Sequence, residues 1–192
     1  MNCACFRYGL FNRICNALMI FCVCVASSVR AEPKTIVAFG DSLTQGYGLP
    51  ADLGFVPKMG YWLGAQGVSV RMVNAGVSGD TTAGGLARLD WTLAETADLV
   101  IVNLGSNDML RGLDPRLTYD NLQKIMAKLH SKNIQTLLIG HLAPLNYGKD
   151  YKKNYDQVFQ QIAIENDTEF YPYFFEALVA IGEVVPNMQL YF

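Results

Sequence analysis

Five apolar runs punctuate this 192-residue chain, with stretches of helical spacing between them. Thr35 to Phe39 is unbroken and stops at Gly40, the pattern of a strand buried on both faces. Val68 to Val73, Leu99 to Leu104 and Thr136 to Ile139 read the same way, and Thr168 to Tyr171 ends at Pro172. Helices are predicted over Phe55 to Ala65, Thr82 to Leu93, Tyr119 to Leu129 and Asp150 to Ile164. In the third, Leu122, Ile125, Met126 and Leu129 recur at i, i+3, i+4 and i+7, with Thr118 placed to cap the start. Strand and helix in regular alternation predict an α/β protein, a parallel sheet of about five strands with helices on both faces. In such sheets the active crevice lies beyond the carboxyl ends of the strands.

The first 31 residues stand apart from that pattern. Arg7 and Arg13 precede an apolar run from Ala17 to Ala26, and Val29-Arg30-Ala31 suits cleavage, with Ala26-Ser27-Ser28 as an earlier option. The run is too short for a comfortable membrane span, which needs about 20 residues. Residues 1–31 are therefore expected to be a signal peptide and 32–192 a single domain, periplasmic or secreted. All five cysteines (Cys3, Cys5, Cys15, Cys22 and Cys24) fall in the leader, so the remainder offers neither a disulfide framework nor a thiolate metal site. Removing three arginines and no acid shifts the formal charge from −2 to −5. A mildly acidic domain without basic clusters is a poor match for nucleic acid.

Three polar blocks follow the first three predicted strands: Gly40-Asp41-Ser42-Leu43, Ser78-Gly79-Asp80-Thr81 and Gly105-Ser106-Asn107-Asp108. A tight turn lifts Ser42 out of the sheet, but its hydroxyl is a weak nucleophile until a base takes the proton. Gly79 has no Cβ to keep a ligand from its N–H. Asn107 can donate an amide proton to an oxygen that gains negative charge. Each block taken alone also reads as an ordinary turn or helix cap. Together, in order, each at the end of a different strand, they point to one site.

These blocks resemble the first three of the SGNH (GDSL) esterases and lipases. The surrounding Asn74 to Thr82 and Ala143-Pro144-Leu145-Asn146-Tyr147-Gly148 resemble the bacterial arylesterases, periplasmic enzymes related to thioesterase I and lysophospholipase. The resemblance implies a flavodoxin-like three-layer α/β/α fold and hydrolysis of small-molecule or lipid esters without metal or organic cofactor. It makes Ser42 the nucleophile, with the Ser42 and Gly79 backbone N–H groups and the Asn107 amide as an oxyanion hole. Asp41 would brace the nucleophile turn. Tyr47, Leu49, Leu145 and Tyr147 are candidates to line an acyl groove, although side chains of these types pack into cores at least as often.

The family's fourth block, Asp-x-x-His, occurs nowhere in the 192 residues. By that alignment it would begin shortly after Asn187-Met188-Gln189, and a closing helix would follow. The expectation is thus a chain cut short, with impaired turnover. The alternatives are a non-catalytic acyl- or lipid-binding domain and a non-functional remnant. Only His130 and His141 remain as bases: His130 reads as a solvated or capping residue, while His141 ends the fourth strand on the rim of the site.

Overall fold

The computed structural model describes residues 32–93 and 97–177. The expected leader, the Asn187-Met188-Gln189 segment and the place of a closing helix lie outside the described residues.

Five parallel strands, β1 (Lys34–Gly40), β2 (Val70–Gly76), β3 (Leu99–Asn103), β4 (Gln135–Ile139) and β5 (Glu169–Tyr171), lie in the order β2-β1-β3-β4-β5. The chain moves from β1 to one side, then crosses back to β3 on the other, so the topology reverses at the β1–β3 junction. Between the strands run α1 (Ser42–Gln45), α2 (Phe55–Ala65), α3 (Thr82–Thr92), α4 (Ser106–Leu110), α5 (Pro115–Ser131) and α6 (Lys149–Glu165).

Period-2 alternation sorts the strand residues into two cores. Val37, Phe39, Val100, Val102 and Leu138 pack with Leu89 of α3, Leu122, Ile125, Met126 and Leu129 of α5, and Tyr155, Phe159 and Ile162 of α6. Ile36, Ile101 and Ile139 point the other way, toward Phe55, Met59 and Leu63 of α2 and Phe174. The result is three layers, helix, sheet and helix.

Two expectations need correction. Thr118 does not cap α5: the helix starts three residues earlier at Pro115, with Asp114 accepting from the Arg116 N–H at 2.9 Å. Proline at the first helical turn costs no hydrogen bond, because that N–H has no intrahelical partner in any case. Thr118 is instead buried, and its hydroxyl donates to Asp108 at 3.3 Å. The second strand begins at Val70 rather than Val68, because the Val68 N–H closes the end of α2 on the Leu63 carbonyl (3.0 Å). It then continues to Gly76, which pairs with Gly40. The short α1 and α4 were not predicted, since one turn carries no periodic signal.

Candidate active site

The nucleophile candidate is placed by its neighbour. Asp41 caps α1, its Oδ1 accepting from the Leu43 N–H at 3.0 Å, which leaves Ser42 as the first residue of the helix. Helix geometry provides no acceptor for an N–H at that position, and among the described residues neither it nor the Ser42 hydroxyl meets a partner. Asp41 is fully buried and its second oxygen accepts from the Ser106 hydroxyl. Burial pushes its carboxyl above the usual carboxylate range, against the pull of the Ser106 and Leu43 bonds.

Gly79 has φ +81°, a conformation that disfavours a Cβ. Three contacts fix its loop. The Ser78 N–H donates to Gln45 Oε1 (2.8 Å), the Asp80 N–H to the Val77 carbonyl (3.1 Å), and Arg111 Nη2 to the Gly79 carbonyl (2.8 Å). Asn107 Nδ2 donates to the Asp80 carbonyl at 2.9 Å and stands 3.4 Å from Asp41 Oδ2. The next residue, Asp108, is buried and takes the Thr82 N–H (2.8 Å) and hydroxyl, tying α4 to α3.

The structure brings Ser42, Gly79 and Asn107 to one cleft of about 280 Å³ at the carboxyl edge of the sheet. Its other walls are Leu43, Tyr47, Ser78, Ser106, Met109, Leu110, His141, Leu142, Tyr173 and Phe175. Of the expected groove residues only Tyr47 lines it. Leu49, Leu145 and Tyr147 do not, and the Tyr147 hydroxyl donates to the Leu110 carbonyl (2.9 Å) on the rim. Sequence reading missed Ser106, Gln45 and Arg111. Ser106 was in plain view inside the third block, whereas nothing local marks the long reach of Gln45 or Arg111.

The two histidines separate. His130 borders a groove with Leu99 and Gln135, at the opposite, amino edge of the sheet. His141 faces the cleft but is only 3% exposed, with its ring edge-on to Phe159 at 5.5 Å. Its Nε2 finds no partner among the described residues, and burial lowers its pKa from 6.5 to about 4. An unfolded histidine takes up its proton before this one does. Stability is therefore lost as pH falls from 6.5 to about 4, by about 3 kcal/mol in all. Asp41 acts in the opposite sense, its raised pKa costing stability as pH rises. His141→Gln is expected to flatten the histidine slope. Urea unfolding at pH 7, 5.5 and 4.5 measures it, and parallel curves for the two chains would refute it.

A parallel sheet with a hydroxyl and a set of N–H donors gathered at its switch point is an arrangement suited to acyl transfer. The chain belongs to the GDSL-like lipase/acylhydrolase family, which matches residues 38–188. It is 37% identical over 161 residues to the esterase TesA of Pseudomonas aeruginosa, covering 83% of this chain and 79% of that one. The arylesterase of Vibrio mimicus is 33% identical over 172 residues, 89% of this chain and 84% of its own. Among solved structures, the SGNH-hydrolase family esterase AlinE4 superposes with a TM-score of 0.77 at 38% identity, over 84% of this chain and 87% of the other. No helix among the described residues is long and apolar enough to cross a membrane.

Proposed function

We propose that this protein, exported behind a leader at residues 1–31, hydrolyses carboxylic esters through an acyl intermediate on Ser42. The observation that carries this reading is the convergence of Ser42, Gly79 and Asn107 on one cleft from three separate loops. Ser42 Oγ attacks the ester carbonyl carbon and gives its proton to a base. The carbonyl oxygen, now anionic, accepts from the Ser42 and Gly79 N–H groups and from Asn107 Nδ2. The tetrahedral centre collapses, the bond to the alcohol oxygen breaks, and the alcohol leaves with a proton. Water then repeats the sequence on the acyl-serine and frees the acid. Leu43, Met109, Leu110, Leu142 and Phe175 give the cleft an apolar lining, which fits an aryl or acyl group. The names of the relatives point the same way.

The 192 residues hold no Asp-x-x-His, and the Ser42 hydroxyl has no hydrogen-bond partner among the described residues. In a serine protease the loss of the base costs on the order of 10⁶ in turnover and leaves about 10³–10⁴ over water. His141 is a poor replacement, because an imidazole with a pKa of about 4 is a weak proton acceptor at neutral pH. These 192 residues taken alone are therefore expected to turn over slowly. The Ser42 hydroxyl, unpartnered among the described residues, and the apolar walls support a second reading, a cleft that binds acyl groups without cleaving them.

Imidazole in solution tests both. Hydrolysis of p-nitrophenyl butyrate is expected to rise with imidazole in the native chain, above the rise caused by imidazole acting alone. The excess should vanish in Ser42→Ala and persist in His141→Ala. Folded protein with no Ser42-dependent excess would leave the binding reading standing.

A further inference from the structure

We propose that Arg88 is a positioning residue that holds the donors of the candidate oxyanion hole in register, an inference that rests on the role assigned above to Ser42, Gly79 and Asn107. Arg88 lies on α3, outside all three polar blocks, and its side chain is 18% exposed. Its planar fork is divided between the end of β1 and the loop that follows β2. Nε donates to Asp80 Oδ2 at 2.6 Å, and Nη2 donates to the Gly40 carbonyl at 2.9 Å. Its Cζ stands 4.3 Å from the centre of the Phe39 ring, and Nη1 reaches Thr92 Oγ1 at 3.3 Å, so the stem has little freedom to turn.

The two residues gripped this way are the ones that govern the donors. Gly40 is the last residue of β1, two before Ser42, and its carbonyl also accepts the Val77 N–H at 3.0 Å. Asp80 directly follows Gly79, and its own carbonyl anchors the Asn107 amide at 2.9 Å. One guanidinium thus connects the nucleophile turn with the Gly79 loop, and through Asp80 with Asn107. Gly84, one turn before Arg88, leaves the room this needs: a Cβ there would stand 2.7 Å from Asp80 Oδ1. Oxyanion donors act through placement, and removing one costs about 10²–10³ in kcat. A residue that displaces two of them together should register on kcat while leaving the apolar walls, and hence KM, in place. Lysine cannot reproduce the grip, because a single ammonium on a flexible stem lacks the fixed fork.

Three variants, Arg88→Ala, Arg88→Lys and Asp80→Asn, test the assignment by two independent readouts. The first is NMR: amide exchange at Val77, Ser78 and Asp80, and the Asn107 side-chain NH₂ resonances. The second is imidazole-supported hydrolysis of p-nitrophenyl butyrate. In Arg88→Ala exchange at the three amides is expected to quicken at least about tenfold and the Asn107 resonances to shift, with β1 and β3 protection unchanged. The fall in kcat is expected to be about 10- to 100-fold with KM within about twofold, and Arg88→Lys should fall between Ala and native. Should Arg88→Ala not fold, Arg88→Lys and Asp80→Asn carry the test. Native-like exchange and Asn107 resonances in the folded variants would overturn the proposal, as would equal loss of protection through the whole sheet. If the native chain shows no Ser42-dependent turnover, the ester-hydrolase reading fails and the NMR measurements alone decide the role of Arg88.

Discussion

Joining the family's Asp-x-x-His block to the carboxyl end of this chain is expected to raise ester hydrolysis by on the order of 10⁴–10⁶-fold, provided that the block reaches Ser42. The reasoning runs through non-additivity. In a serine hydrolase, removing the nucleophile alone costs nearly as much as removing the whole set, since each member works only through the others. A chain without the base has already lost that joint contribution. Ser42→Ala in the chain as it stands is therefore expected to change the basal rate by only a few fold. In the joined chain the same substitution should cancel the entire gain. The measurement is kcat/KM for p-nitrophenyl butyrate in the four chains. A folded joined chain in which the added histidine stands beside Ser42 and the rate does not rise would show that Ser42, as held by Asp41 and α1, is not the attacking group.

Gly105→Ala is expected to lower stability substantially. Gly105 is at φ +122°, outside the range that alanine adopts without strain. Its absent Cβ would also lie 2.9 Å from Phe159 Cζ and 3.0 Å from the Tyr155 hydroxyl. Neither neighbour yields easily: both rings are buried, and the Tyr155 hydroxyl donates to the Gly105 carbonyl at 2.7 Å. Backbone strain of about 1–3 kcal/mol and overpacking of a similar size add up to a loss of about 2–6 kcal/mol. At about 2–4 °C per kcal/mol, thermal unfolding should drop by roughly 5–20 °C. Because Gly105 caps α4, the same change displaces Asn107, and imidazole-supported turnover should fall further than Tm alone explains. An unchanged Tm would show that the turn relaxes into another conformation at little cost.

Most of the sheet was legible because buried parallel strands leave unbroken apolar runs, and helix boundaries such as Phe55–Ala65 coincide with the pattern. The misses have physical causes. Thr118 looks like a cap only when its neighbours are ignored, since the Asp114-Pro115 pair three residues earlier is the stronger helix start. Val68 is apolar enough for a strand, yet the helix end claims its N–H first. At the site, Ser42, Gly79 and Asn107 could be found because each lies just past the end of a strand. Gln45, Arg111 and Arg88 reach across 32 to 48 residues of sequence to fix those loops. Such reach is a property of the folded chain, and no local pattern announces it.

The walls of the cleft divide by strand. Every candidate donor comes from the loops after β1, β2 and β3, while Leu142, Tyr173 and Phe175 come from those after β4 and β5. One half of the sheet thus carries the candidate donors and nucleophile, and the other much of the surface a substrate's side group would meet. Substitution at Leu142, Tyr173 and Phe175 can reshape substrate preference while leaving those donors untouched. Diversity among descendants of this chain should accumulate there first.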